Sequence, residues 1–398
     1  MVKWRRNAVL YMAGQVLSQF GSAVVAYAII WNIALNQDTT AYALCVMAAN
    51  LPIALLSIPA GVWADRYNRK WLIVAPDAGI AVATVVLALA WLAGTTDLWL
   101  ILIVLVLRGT GAGIQSPAAM AAIPMLVPEK HLLRFNSVNG ALQYAVYIVA
   151  PALAAALIAF MPLGQILFID VTTALIGIAF VLPLPLKAVE QSEHVGYFLG
   201  TLAALKYLRR SRVLWRAMLL VAPVMLIVVA PVGYSPIFIK DCFGTDTWML
   251  AAVEMVFSIG AIAGGAVLAV WGGLKNRMAM MLIVSFAFAV FTLLLGWSPN
   301  IWWFIAFTTV YGIAVPGIET VGNTVLQENT DETMLGRMMS LMNVMMAVAY
   351  PVGMGLLAPL VEGIGIRGAF YVCGVLGLVV ALANSCRAPK ILPPGTTE

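Results

Sequence analysis

The stretch Gly61-Val62-Trp63-Ala64-Asp65-Arg66-Tyr67-Asn68-Arg69-Lys70 sets one acid and three bases between two apolar runs, 41–62 and 71–94. Each run is close to the roughly 20 residues an α-helix needs to cross the hydrocarbon core of a bilayer. The pattern is that of two membrane spans joined by a short charged loop. Strands of a membrane barrel would alternate polar and apolar residues over about ten positions, and neither run alternates.

Outward from this loop the same pattern recurs. Of 398 residues, 63% are hydrophobic and 10% charged, with a mean hydropathy of +0.98. A soluble domain carries roughly a quarter charged residues, so lipid must cover most of this exterior. Apolar runs near 8–35, 41–62, 71–94, 97–118, 136–160 and 165–186 precede a polar stretch. Others follow it near 214–239, 248–271, 278–297, 301–325, 338–361 and 367–386. This predicts an all-α membrane protein of twelve spans. The opening Met1-Val2-Lys3-Trp4-Arg5-Arg6 runs into the first span without a small-residue cleavage site, so no removed signal peptide is expected. Cys45, Cys242, Cys373 and Cys386 offer no disulfide framework, and His131 and His194 stand in separate polar loops. Neither a metal site nor a Ser/His or Cys/His enzyme is expected from such spacing. No G-x-x-x-x-G-K-[ST] loop is present, which weighs against ATP-driven transport by this chain alone.

The charges test the span count. With the N-terminus inside, the inner segments hold Lys3, Arg5, Arg6, Arg66, Arg69, Lys70, Lys130, Arg134, Lys187, Lys206, Arg209, Arg210, Arg212, Arg216, Lys275, Arg277, Arg337, Arg387 and Lys390. That is 19 of the 22 basic residues; Lys240 and Arg367 fall outside and Arg108 within a span. A wrong count would scramble this alternation, so the positive-inside rule predicts twelve spans with both termini cytoplasmic, in a bacterial inner membrane. The net charge of +5 follows from topology and calls for no nucleic-acid partner. The polar stretch 187–213 divides the chain into a six-span unit at 1–186 and another at 214–398. Within it Leu202, Leu205 and Leu208 beside Lys206, Arg209 and Arg210 suggest an amphipathic helix on the membrane surface.

The loop 61–70 resembles the G-x-x-x-D-R-x-x-R-K segment of the major facilitator superfamily at every signature position, and Gly272-Gly273-Leu274-Lys275-Asn276-Arg277 is a weaker trace at the equivalent place in the second half. Span four carries Arg108-Gly109-Thr110-Gly111-Ala112-Gly113, similar to that superfamily's arginine-glycine motif. Leu326-Gln327-Glu328 with Leu335-Gly336-Arg337-Met338-Met339-Ser340, together with Ala13-Gly14-Gln15, Asp77 and Asp170, resembles the third drug/proton antiporter group, which includes macrolide-efflux proteins. Span five has Ala150-Pro151-Ala152-Leu153-Ala154 where the first two drug/proton groups have a glycine-rich G-P-x-x-G-G. The resemblance implies two pseudo-symmetric six-helix bundles and a monomer that works without a cofactor, on the proton gradient. It also implies a gate formed by Gly61, Asp65, Arg66, Arg69 and Lys70, with Asp65 capping span eleven in the outward-facing state, and a cavity lined by spans one, four, seven and ten. The function it implies is proton-coupled export of amphipathic drug- or macrolide-like compounds. Export of an endogenous metabolite such as a siderophore or lipid-like molecule, or uptake by symport, is the alternative.

Asp77, Arg108, Asp170, Glu254 and Glu319 are ionisable residues inside predicted spans. A charge at the bilayer centre costs at least about 2.5–3.5 kcal/mol, so these groups should face protein or water. Low dielectric favours the neutral form of a carboxyl, and a neighbouring cation favours the charged form. Glu319 and Glu254 are the first candidates for proton coupling, with Arg108 as the tuning cation; static interhelical pairing is the alternative for all five. Gln15, Gln19 and Ser22 share a face of span one, Asn136, Asn139, Gln143 and Tyr147 a face of span five, and Glu319, Asn323 and Gln327 a face of span ten. With Gln115 on span four, the residues Gln15, Gln19, Ser22, Gln115, Gln143 and Asn323 are expected to contact substrate. Fourteen of the 20 methionines follow residue 215, which suits either a pliable pocket or core filling.

Overall fold

A computed structural model of the chain describes residues 2–95, 97–186, 206–209, 211–274 and 276–386. The first six helices are α1 (Val2–Asn36), α2 (Thr39–Arg66), α3 (Arg69–Leu92), α4 (Leu98–Leu126), α5 (Glu129–Phe160) and α6 (Leu163–Val181). Then come α7 (Arg212–Gly233), α8 (Thr247–Trp271), α9 (Arg277–Trp297) and α10 (Ile301–Asn329). Helix α7 bends by 43° into a short continuation, Ser235–Cys242. The final stretch, Glu332–Cys386, runs for 55 residues and is interrupted at Gly365 (φ 76°, ψ 164°). At about 1.5 Å per residue its length would be more than twice the bilayer core. Glycine enters positive φ without a side-chain clash, and the break yields α11 (332–364) and α12 (366–386). Among the described residues ten helices are long and apolar enough to cross a membrane, or eleven with the bent α7, counting the stretch that Gly365 interrupts as one.

Asp38, Asn68, Asp97, Asn276 and Asn300 each accept a hydrogen bond from the first turn of the following helix, which keeps the connections short. Helix α6 stops at Val181, short of the expected 186, because Pro183 and Pro185 cannot continue it. The amphipathic helix expected within 187–213 lies largely outside the described residues. Its described part, 206–209, is helical, with Leu208 buried and the Tyr207 hydroxyl donating to Asp331 at 3.0 Å.

The two halves repeat one packing scheme. In the first, α2 packs on α4, α1 on α6, and α3 on both α4 and α6; in the second, α8 packs on α10 and α9 on α10. Two glycines carry the matched contacts. A Cβ on Gly109 of α4 would lie 2.4 Å from the Ala49 carbonyl oxygen of α2. One on Gly264 of α8 would lie 2.1 Å from the Ile313 carbonyl oxygen of α10. Backbone sets both limits, so no side chain can yield. Gly264→Val is expected to destabilise the second half by about 1–3 kcal/mol or more, read as a lower melting temperature and less monodisperse protein in detergent. An unchanged melting temperature would mean that α8 and α10 do not meet this closely.

Between the halves, α2 meets the α11 segment and α5 meets α8, an exchange-related pair of contacts. They cluster at the face opposite the N-terminus. There Thr40 bonds to Glu362, the Tyr42 hydroxyl donates to the Gly233 carbonyl at 2.6 Å, and Lys240 Nζ donates to the Gln37 carbonyl at 3.0 Å. At the N-terminal face Lys70 Nζ donates to the Leu182 carbonyl at 2.8 Å, Arg277 pairs with Glu328 at 3.5 Å, and Trp4 stacks on His131, each within one half. The Thr40, Tyr42 and Lys240 contacts hold the halves together at the face opposite the N-terminus.

Candidate functional site

Between the halves lies a cavity of about 780 Å³. Gln15, Gln19, Ser22, Gln115 and Gln143 all line it, as do Arg108 and Glu254. The helical spacing along α1 puts Gln15, Gln19 and Ser22 on one wall, where Gln19 bonds to Gln143 of α5. Gln15 is buried, and its Nε2 has no hydrogen-bond partner among the described residues. Trp31 and Tyr42 close the sealed end, whereas Tyr144 and Tyr147 lower on α5 are about half exposed, at 56% and 52%.

Arg108 is an ion-pair partner of Asp170 on α6. Its Nη1 also donates to Thr84 Oγ1 at 2.6 Å, and its Nη2 to the Ser22 carbonyl at 3.3 Å. Ser22 Oγ in turn donates to Asp170 Oδ1 at 2.6 Å and Thr84 Oγ1 to Asp170 Oδ2 at 3.1 Å. Four helices, α1, α3, α4 and α6, are tied by this network. Sequence reasoning assigned Arg108 to tune Glu319 and Glu254 from across the cavity; its charge is instead engaged within its own half. Nothing in the spacing of 108 and 170 could reveal this, because α6 is brought beside α4 by the packing of both on α3. Asp77, 3% exposed, accepts from Ser18 at 3.1 Å and faces Gln115.

Glu254 has a different environment. The Tyr27 hydroxyl is directed at its carboxyl, and Tyr42 and Tyr350 line the same cavity. Sequence reasoning missed these tyrosines. Tyr27 stands five residues past Ser22, off the face that Gln15, Gln19 and Ser22 share, so helical spacing does not mark it.

The second-half wall also departs from expectation. Glu254, Phe257, Ser258 and Ala261 of α8, Val232 of α7, Pro236 of its continuation and Tyr350 of α11 furnish it, and no described residue of α10 lines the cavity. Helix α10 turns Gly312 onto the Phe257 carbonyl of α8, so its polar stripe is directed elsewhere. Asn323 is not a lining residue, and its Oδ1 is buried without a partner among the described residues. Glu319 belongs to α10, and its side chain lies outside the described residues. The methionines take the core role: Met338, Met342 and Met354 are buried, and no methionine is among the lining residues.

At the N-terminal face, Arg69 Nε donates to the Ala64 carbonyl at 2.9 Å and Nη1 to the Ala121 carbonyl at 2.7 Å, tying the α2–α3 turn to the end of α4. Lys70 caps the C-terminal end of α6, where a cation complements the free carbonyls. Arg66 is exposed, Gly61 has open space beside its Cα, and the Asp65 side chain lies outside the described residues. The second half repeats the device. Arg277 donates to the Gly272 carbonyl at 3.0 Å, five residues back as Ala64 is from Arg69, and reaches Glu328 near the end of α10.

Comparison with known proteins agrees with this architecture. A family model described as Major Facilitator Superfamily matches residues 11–286 and 247–395. Macrolide efflux protein A of Streptococcus pyogenes is 29% identical over 388 residues, covering 95% of both chains. Multidrug efflux pump Tap of Mycobacterium tuberculosis (strain ATCC 25618 / H37Rv) is 25% identical over 411 residues, covering 98% of this chain and 96% of its own. A crystal structure of a POT family transporter in complex with 5-aminolevulinic acid superposes with a TM-score of 0.79 over 98% of this chain and 97% of that one, at 12% identity. At that identity the likeness concerns the fold alone.

Proposed function

This chain belongs to the Major Facilitator Superfamily, a transporter family and not an enzyme, and from that premise we propose that it exports amphipathic organic compounds, drug- or macrolide-like, by proton antiport. The observation that carries this reading is the cavity: wide, partly aromatic, bearing one carboxyl without a cation among its described neighbours, and closed by contacts between the halves at one end. The names of the two efflux relatives support the same cargo class.

In this reading the units 1–186 and 214–398 rock about the central cavity, joined by the segment 187–213. The positive-inside rule makes the N-terminal face cytoplasmic, with both termini inside a bacterial inner membrane, so the end closed by contacts between the halves faces outward. Gln15, Gln19, Ser22, Gln115 and Gln143 contact the substrate, with Asn323 joining them only after rearrangement of α10. Glu254 carries the proton, with Glu319 as a second carrier. Asp77 is a further proton-linked group, and the Arg108–Asp170 pair fixes the first half around the site. Asp65, Arg66, Arg69, Lys70 and Gly61 form the inner gate. The protein works as a monomer in the lipid bilayer, without a cofactor. One charge crossing 100 mV supplies about 2.3 kcal/mol, enough to concentrate a substrate tens-fold.

Proteoliposomes with an imposed pH gradient test the reading. Amphipathic compounds should elicit proton flux and be moved against their own gradient, and Glu254→Gln with Glu319→Gln should abolish both. Gradient-driven transport that persists undiminished in the double variant would remove the proton role of these acids. Accumulation in the same direction as the protons would replace antiport by symport.

A further inference from the structure

We propose that the N-terminal face of the first half carries a docking site for one anionic phospholipid. Arg5, Arg6, Lys130 and Arg134 form its basic mouth, and an apolar furrow over α1 continues it. The inference concerns the bilayer and stands whatever cargo the chain exports. Other cations of this face are spent: Arg69 and Lys70 on carbonyl oxygens, and Arg277 on the Gly272 carbonyl and Glu328. Arg5, Arg6, Lys130 and Arg134 are exposed, and none is paired with an acid among the described residues. Packing gathers these four. Trp4 stacks on His131 with ring centres 4.8 Å apart, which sets the start of α1 against the start of α5. The Arg5 guanidinium lies over the Trp4 ring, 5.6 Å from its centre. Lys130 directly precedes His131, and Arg134 follows it by about one turn. Glu129 is the one acid in these opening turns.

An apolar furrow leads away from this mouth. Helices α5 and α6 both pack on α1 and scarcely on each other. Helix α1 turns Gly14 to α6, where an added Cβ would lie 3.1 Å from the Phe180 Cβ, and turns Gln19 to Gln143 of α5. Between those two faces Val9, 66% exposed, and Ala13 one turn on are left uncovered. On α5, Val138 and Val149 are exposed along the helix face that carries His131. Acyl chains suit such a furrow, and the phosphate then sits among the four cations. Basic pockets between membrane helices on the cytoplasmic side are a general setting for anionic headgroups, and the positive-inside rule puts this face inside. A free anion would gain the mouth alone, whereas a lipid fills both parts.

The second half does not repeat the mouth. Glu129 opens α5 and Glu332 opens α11, and on that register Lys130 and His131 correspond to Thr333 and Met334, with Asp331 preceding them. The cations and the stacked ring pair therefore belong to the first half, and one site per chain follows. A ligand that binds the folded chain also raises its stability by mass action.

Native mass spectrometry of the purified full chain tests this, with cardiolipin as the anionic probe and phosphatidylethanolamine as the probe without net charge. The wild type should hold one cardiolipin about tenfold more tightly than phosphatidylethanolamine, and added cardiolipin should raise its melting temperature. Arg5→Gln with Lys130→Gln and Arg134→Gln should lower the cardiolipin affinity about tenfold and cancel the thermal shift. Phosphatidylethanolamine binding should be unchanged, which also reports that this variant is folded. Removing three charges from the basic stretch before α7, by Lys206→Gln with Arg209→Gln and Arg210→Gln, should leave both readouts as in the wild type. Equal affinity of the wild type for the two lipids, or an equal loss in both triple variants, overturns the site. A thermal shift of the same size from inorganic phosphate alone also overturns it, because the furrow would then contribute nothing.

Discussion

Replacing Asp170 with Asn is expected to remove most of the folded protein from the membrane. Asp170 is fully buried and accepts from Arg108, Ser22 and Thr84, while Arg108 is itself 8% exposed. Asparagine keeps the shape of the side chain but withdraws the charge. An arginine is then left buried without its counter-ion, and breaking one side of such a pair costs about 3–5 kcal/mol. Four helices depend on this network, so the loss should appear as a large drop in melting temperature and in monodisperse yield from detergent extraction. The double variant Arg108→Gln with Asp170→Asn should recover much of it, because two amides can hydrogen-bond without a stranded charge. A single variant as stable as the wild type, or a double variant worse than the single, would show that the pair is not the keystone of the first half.

Locking the sealed face should abolish transport almost completely. Thr40 and Glu362 bridge α2 and α11 there, together with the Tyr42–Gly233 and Lys240–Gln37 bonds. Thr40→Cys with Glu362→Cys, in a background lacking Cys45, Cys242, Cys373 and Cys386, should be joined by a short thiol-reactive cross-linker. Transport should then cease while each single variant, treated alike, still transports. Substrate should still reach the cavity from the other face, so binding should survive where transport does not. Undiminished transport by a fully cross-linked protein would exclude any cycle in which α2 and α11 part at this end.

Much of the architecture was readable from one dimension. Long apolar runs need few partners to be recognised as spans, and the placement of Arg66, Arg69, Lys70, Arg277 and Arg337 bounds them as a fold-wide alternation. Helix ends were less readable: α6 stops early at Pro183, and the break at Gly365 depends on a backbone conformation that composition does not declare. Five of the six expected substrate contacts line the cavity because α1, α4 and α5 carry polar stripes at helical spacing, and such stripes are visible in sequence. Asn323 does not, because α10 turns a glycine face to α8, and the choice of face is set by backbone contact between helices.

The sequence by itself determined the spans, their alternation of charge and the two-fold repetition of the chain, because hydrophobic length and the sign of a loop are local properties read by the bilayer. It also determined which few charges had to find protein or water. Only the tertiary structure decided their partners. Arg108 meets Asp170 across 62 positions, and Tyr27, Tyr42 and Tyr350 line one cavity with Glu254 from three other helices. Such encounters follow from how helices pack through Gly109 and Gly264, and from which face of the molecule closes. These relations join residues far apart in the chain, so no window along the sequence contains them.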